Sequence, residues 1–285
     1  MTREPGQMQN KMFLREIIES DQLPSGENAG QFARELMQNL VSSDPELRDD
    51  LTYRLMGMLS VGGHLGFSDH EELLGMSTDA EHLFHGIGES GTDTVFMRSF
   101  SALMIPLWLV HGEHAHRFST SAVEEVANRL LSYATTERDW RGYVPDKGWA
   151  HSVAHTADAL MACGTHPAAT KELGDPILQG IKHLAMVPYP LGYLEDDRLA
   201  FAAFSIIYHN KTASANIQRW LDSFQLVTDQ DNDGDETLCG ANAEHFLRSL
   251  YFRFLQADRM NTWLERVVAA LARFDIYHLD CLPGS

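Results

Sequence analysis

Residues 95–110 read VFMRSFSALMIPLWLV, an almost unbroken apolar run with a single arginine inside it. As a helix, such a segment has no polar face to turn to water, so other elements must cover most of its surface. The rest of the chain is therefore read as that cover. Pro106 should kink the run, because proline lacks the N–H a helix interior uses. Arg98 adds a second constraint: a guanidinium withdrawn from water needs an acidic partner, in a structural ion pair or as part of a ligand site.

The covering segments carry helical period. Met8, Met12, Phe13, Ile17 and Ile18 repeat that way before Pro24 and Gly26, and a second helix is expected over residues 28–41. Ser43 or Asp44, then Pro45, opens a third with Leu47, Leu51, Leu55 and Met58 inside. Ser68 and Glu71 match a capping box, and residues 79–87, with His82 and His85, should continue the helix beyond Gly75. Ser119 or Ser121 caps the next. Further helices are expected after Asp175 and Pro176, from Glu195, over 214–227, over 241–257 and over 262–274. Almost no stretch alternates as a strand would. The expected fold is all-α, with antiparallel helix hairpins of about forty residues stacked as a HEAT-like α-solenoid or a partly closed helical array. It is taken as one domain over residues 1–285, with a looser part at 1–42.

Composition narrows the function. A net charge of −18 opposes nucleic acid and anionic membranes, both of which need clustered Lys and Arg. Cys163, Cys239 and Cys281 are odd in number and lack C-x-x-C spacing, so neither a disulfide framework nor a thiolate zinc site is indicated. The first twenty residues mix charge through their apolar positions and lack a signal-peptide core. With no apolar run of membrane-spanning length, the expectation is a cytoplasmic protein.

The chemistry concentrates in DWRGYVPDKGWAHSVAHTAD, residues 139–158. If a helix starts near Trp149 with Asp146 as its N-cap, His151, His155 and Asp158 stand at i, i+4 and i+7 on one stripe. Two imidazoles and a carboxylate suit a divalent transition metal, or acid and base work. Arg141 and Lys147 at the same helix entrance would reinforce anion binding. Ser152 stands where an H-E-x-x-H metalloprotease has glutamate, which disfavours zincin-type proteolysis. The competing reading is a polar seam between helices.

The run R-G-Y-V-x-x-K-G-W-x-H-x-x-x-H-x-x-D, from Arg141 to Asp158 and preceded by Glu137 and Asp139, resembles the signature of an uncharacterised bacterial family, domain of unknown function 2785. R-S-F-S-x-L at Arg98 and E-D-D-R-L-A at Glu195 fit the same family. The resemblance implies a helical fold and a bacterial source, and assigns no catalytic roles.

Two acidic clusters remain. Glu195, Asp196 and Asp197, followed by Arg198, suit a helix dipole and could partner Arg98 and Arg141, closing a site around His151 and His155. Asp229, Asp231, Asp233 and Asp235, with Gly234, resemble the first half of an EF-hand calcium loop, although Gly240 stands where the bidentate glutamate belongs. The leading functional expectation is a binding module with a central polar pocket for a small polar ligand or peptide, lined by Arg98, Arg141, Asp146, Trp149, His151, His155, Asp158, Asp197 and Arg198. The alternatives are a metal-dependent hydrolase using His151, His155 and Asp158, and a purely structural scaffold.

Overall fold

In the computed structural model the described residues are 8, 10–110, 114–225 and 233–274; the side chains of Ala115, Asp233, Asp235, Asp258 and Arg259 lie outside the description. The chain forms two compact units, Met1–Ala169 and Thr170–Ser285. Among the described residues the fold is all-α apart from one two-stranded ribbon.

The first unit contains α1 (Lys11–Ser20), α2 (Ala29–Leu36) running into a 3-10 turn at Met37–Val41, and a π-helical segment (Glu46–Tyr53) that continues as α3 (Arg54–Val61). After these come α4 (Phe67–Ser77), α5 (Thr94–Leu109), a 3-10 turn at Ala115–Arg117 and α6 (Thr120–Thr136). A hairpin of β1 (Tyr143–Val144) and β2 (Gly148–Trp149) then leads to α7 (Ser152–Thr165).

The apolar run is α5, and it is buried as its composition requires: Phe96, Phe100, Met104, Ile105, Trp108 and Leu109 are all withdrawn from solvent. It packs most extensively on α7, and also on α4, on α3 and on the turn after α2. The α7 surface is rich in small residues (Ala154, Ala157, Gly164), which let the two backbones approach. Each large side chain buried there stabilises by roughly 1.5–3 kcal/mol. Pro106 lies inside α5. At the end of the helix Ser60 donates to the Leu107 carbonyl (2.7 Å), and the buried Trp108 indole donates to Ser77 (3.0 Å).

Asn28 and Ser119 act as the caps of α2 and α6, accepting from Gln31 (2.8 Å) and Ala122 (3.2 Å). At α4 the cap is Gly66, whose N–H donates to Asp69 (2.9 Å), two residues before the expected Ser68. Residues 79–87 are successive turns rather than a helix. Asp79 collects the N–H groups of Glu81 and His82 there and so ends the helical ladder.

The second unit holds α8 (Lys171–Leu184), α9 (Glu195–Tyr208), α10 (Ser214–Asp222), α11 (Asp233–Leu255), a 3-10 turn at Asp258–Trp263 and α12 (Leu264–Leu271). Phe224 and Phe246 stack at 5.5 Å inside it, and the Trp220 indole donates to the Leu178 carbonyl. Asn242 on α11 pins the proline-rich connector before α9: its amide donates to the Val187 and Tyr189 carbonyls, and its oxygen accepts from Leu191. Among the described residues no helix is long and apolar enough to cross a membrane.

Candidate functional site

The hairpin arises from its turn chemistry. Lys147 N–H bonds the Val144 carbonyl at 3.1 Å, which places Pro145 and Asp146 at the corners of a four-residue turn. Pro145 suits the first corner, and a positive φ at the second (Asp146, +64°) marks a type II turn. Gly148 follows at φ +78°, and a Cβ there would lie 2.7 Å from Pro45. That glycine lets the hairpin sit flat on the start of the π-helical segment. The strands pair Tyr143 with Trp149 and Val144 with Gly148.

Three arginines fasten this structure. Arg48, on the π-helical segment and fully buried, donates to the carbonyls of Ser42 (2.6 Å), Lys147 (2.8 Å) and Trp149 (3.3 Å). Its guanidinium also lies 4.1 Å from the Phe96 ring and 4.7 Å from the Phe100 ring of α5. Asp49 approaches it at 2.7 Å. Burial pushes the Asp49 carboxyl up to about 6, against the pull of Arg48.

Arg98 makes a bidentate pair with Glu137 (2.7 and 2.9 Å) and gives its other donors to Thr94 and the carbonyls of His85, Gly86 and Glu89. Arg141 makes a bidentate pair with Asp139 (2.8 and 2.6 Å) and donates to the Thr92 carbonyl. Asp139 accepts from Gly91 as well, while its carbonyl takes the Ser152 hydroxyl at the start of α7. Lys147 is paired with Asp93. The acidic partners of Arg98 and Arg141 are therefore Glu137 and Asp139. Asp197 is paired with Arg253 inside the second unit (2.6 Å), and Arg198 is exposed on the same helix.

The expected helical stripe changes at its first member. Helix α7 begins at Ser152, three residues later than the sequence suggests, because the hairpin takes up residues 143–149. Asp146 is an exposed turn residue rather than the N-cap. That position falls to His151, in a left-handed conformation (φ 50°, ψ 34°), which turns its side chain off the line of the helix. The His151 ring stacks on Trp149 at 4.3 Å, nearly parallel. His155 is buried, with its Nδ1 2.7 Å from the Ser99 hydroxyl and its ring edge-on to Phe100. Asp158 is half-buried one turn further on.

The two imidazole ring centres are 5.8 Å apart. No three His, Cys, Asp or Glu side chains among the described residues gather closely enough to hold a metal ion, and His151, His155 and Asp158 are no exception. The Ser99 hydroxyl also lies against the Ala150 carbonyl; when it donates its one proton there, the imidazole Nδ1–H donates to Ser99, an arrangement that does not activate the hydroxyl.

Of the calcium-loop residues, Asp229 and Asp231 lie outside the described residues, as do the side chains of Asp233 and Asp235; Gly234, expected in a sharp turn, is helical.

Beside the exposed turn residues Pro145 and Asp146, two aromatic side chains remain accessible. Tyr143 is 45% and Trp149 38% exposed, meeting edge to face at 5.0 Å with His151 stacked behind. Sequence reasoning included Trp149 but missed Tyr143, Arg48, Asp49 and Ser99. The available signals were an arginine interrupting the apolar period at 48, and the aromatic pair flanking a Pro-Asp turn.

No curated protein matches the chain, and no solved structure does. The family model described as protein of unknown function (DUF2785) matches residues 83–252, a span that includes Arg98, Glu137, the hairpin and α7. That span is more than half of the 285 residues, so the chain belongs to this family.

Proposed function

We propose that the protein is a binding module whose recognition surface is the Tyr143–Trp149–His151 face of the hairpin, and that its ligand is a peptide segment or small polar molecule with a planar or cationic part. The observation that carries this reading is the division of labour at the site. Arg48, Arg98 and Arg141 give their donors to protein carbonyls and carboxylates, whereas two large aromatic side chains stay in solvent on a braced support. Aromatic side chains offer large contact area at low entropic cost, and rigid presentation keeps that cost low on binding. A net charge of −18 favours a ligand carrying positive charge. Within each unit, neighbouring helices pack on one another (α4 on α5, α6 on α7, α8 on α9, α11 on α12), which supports helix hairpins stacked in a HEAT-like array. The free Cys163 and Cys239 support a reducing, cytoplasmic setting.

The hydrolase reading is weaker, because its three residues do not gather closely enough to share a metal ion. A pure scaffold would leave the exposed aromatic pair without a use.

The test is a thermal-shift panel of organic cations, sugars and short basic peptides, run on the wild type and on a Tyr143→Ala, Trp149→Ala variant. The variant should melt close to the wild type, since both rings are exposed, and should lose every shift the wild type shows. Shifts kept in full by the variant would move the binding surface elsewhere.

A further inference from the structure

We propose a second binding site, a groove between α6 and the turns at residues 79–87 that takes a zwitterionic amino acid with an apolar side chain. Its lining contains no hairpin residue, and the inference does not depend on the function proposed above.

The groove measures about 650 Å³, within the roughly 300–1,000 Å³ usual for small-molecule sites. One wall is α6, which turns Ser121, Glu125, Asn128, Arg129 and Ser132 toward it along successive turns of the helix. The other wall is Ala80 and Phe84. Asp79 accepts the N–H groups of Glu81 and His82 and so fixes the backbone that carries them. The Phe84 ring is half-buried and meets the fully buried Tyr133 ring edge to face at 6.4 Å. A held aromatic surface therefore lies opposite a polar helix face.

The charged pair carries the assignment. Glu125 and Arg129 stand at i and i+4 with the acid first, the order that favours pairing along a helix. In α11 the same spacing gives an ion pair between Glu244 and Arg248. Among the described residues Glu125 and Arg129 form no ion pair with each other or with a neighbour, and both line the groove. Side chains at this spacing have Cβ atoms about 5–6 Å apart, which places a carboxylate and a guanidinium within reach of the two ends of one small zwitterion. The guanidinium takes a carboxylate through two parallel N–H bonds, and Glu125 accepts from an ammonium. Asn128 adds an amide that both donates and accepts. Ala80 and Phe84 then face the ligand's side chain. A simple anion would meet Glu124 and Glu125 in the same lining, and a simple cation would meet Arg129. A ligand carrying both charges avoids either conflict.

The experiment titrates the full-length chain by calorimetry with L-phenylalanine, with N-acetylphenylalanine, which lacks the ammonium, and with phenylalanine amide, which lacks the carboxylate. It is run on the wild type and on the Tyr143→Ala, Trp149→Ala variant, so that the hairpin surface is scored separately. L-phenylalanine should fill one saturable site in both proteins with equal affinity, and each derivative should bind the hairpin variant at least tenfold more weakly. Glu125→Ala and Arg129→Ala, added singly to that variant, alter exposed side chains and should leave its melting temperature in place while weakening L-phenylalanine at least tenfold. Glu125→Ala should also stop distinguishing L-phenylalanine from its acetyl derivative, and Arg129→Ala should stop distinguishing it from the amide, responses that a merely structural role would not give. Absence of a saturable site for L-phenylalanine, its loss in the hairpin variant, equal binding of the three probes by that variant, or unchanged affinity in both groove variants would overturn the proposal.

Discussion

Asp49 shows how strongly one residue's surroundings can act against it. Its carboxyl is driven up to about 6, first by burial and only partly offset by Arg48. The folded state therefore holds the Asp49 proton more tightly than the unfolded chain, where a carboxyl titrates near its ordinary value. Stability is greatest when the group is protonated, declines as pH rises from about 4 to about 6, and stays reduced above that. Asp49→Asn keeps the shape and removes the charge. It should raise unfolding free energy by about 1–3 kcal/mol at pH 7.5 and by little at pH 4, as measured by urea denaturation; a variant less stable at pH 7.5 would mean the ion pair with Arg48 outweighs the burial. Arg98 is the opposite case. Its donors are matched, so the buried charge is compensated, and removing Glu137 alone would leave a guanidinium stranded. Sequence reading correctly demanded an acidic partner for Arg98. It looked to the Asp197 cluster because that was the denser group of acids, whereas the partner is the solitary Glu137 at the end of α6.

The hairpin and the π-helical segment decide the site at the next scale, and each was only partly legible. Strands of two residues are too short to show alternation, so Gly142, Pro145 and Gly148 mark a turn in the sequence while the strand pair over residues 143–149 stays hidden. Placing the helix start at Trp149 followed from that, and the three-residue error moved His151 from the helix face to a left-handed cap. Through the π-helical segment into α3, Leu47, Leu51 and Leu55 are buried at steps of four, which fits an α-helix and a slightly wider turn alike. Apart from residues 79–87, which form turns, the expected helices exist, because caps such as Ser119 and the apolar period agree. Two glycines test the hairpin's seating. Gly148→Ala combines a positive φ with a Cβ 2.7 Å from Pro45, and should cost about 1–3 kcal/mol in denaturant unfolding. Gly57→Ala, inside α3 with nothing within 4 Å of the added carbon, should instead stabilise by about 0.5–1 kcal/mol. Equal effects at the two positions would contradict the described contact between hairpin and π-helical segment.

Over the whole molecule the dominant physical fact is charge: 40 acidic residues against 22 basic ones. Several of the cations are used in local pairs, Lys11 with Asp44 and Glu46, Arg34 with Glu72, Lys147 with Asp93, and exposed pairs of this kind contribute little each. The remaining negative charge repels itself. Raising sodium chloride from about 10 to about 150 mM shortens the screening length from roughly 30 to 8 Å and should raise the melting temperature; a fall would show that the local pairs matter more than the excess charge. The same excess favours cationic ligands at an aromatic surface. Whether that surface is the recognition face is tested most directly by the Trp149 indole N–H resonance in a proton–nitrogen correlation spectrum, assigned with Trp149→Phe and followed while the compounds that shift the melting temperature are added. The account predicts that the Trp149 signal moves with ligand and saturates, while the indoles of the buried Trp108 and Trp220 stay in place. Ligand that binds with the Trp149 signal unmoved would contradict it.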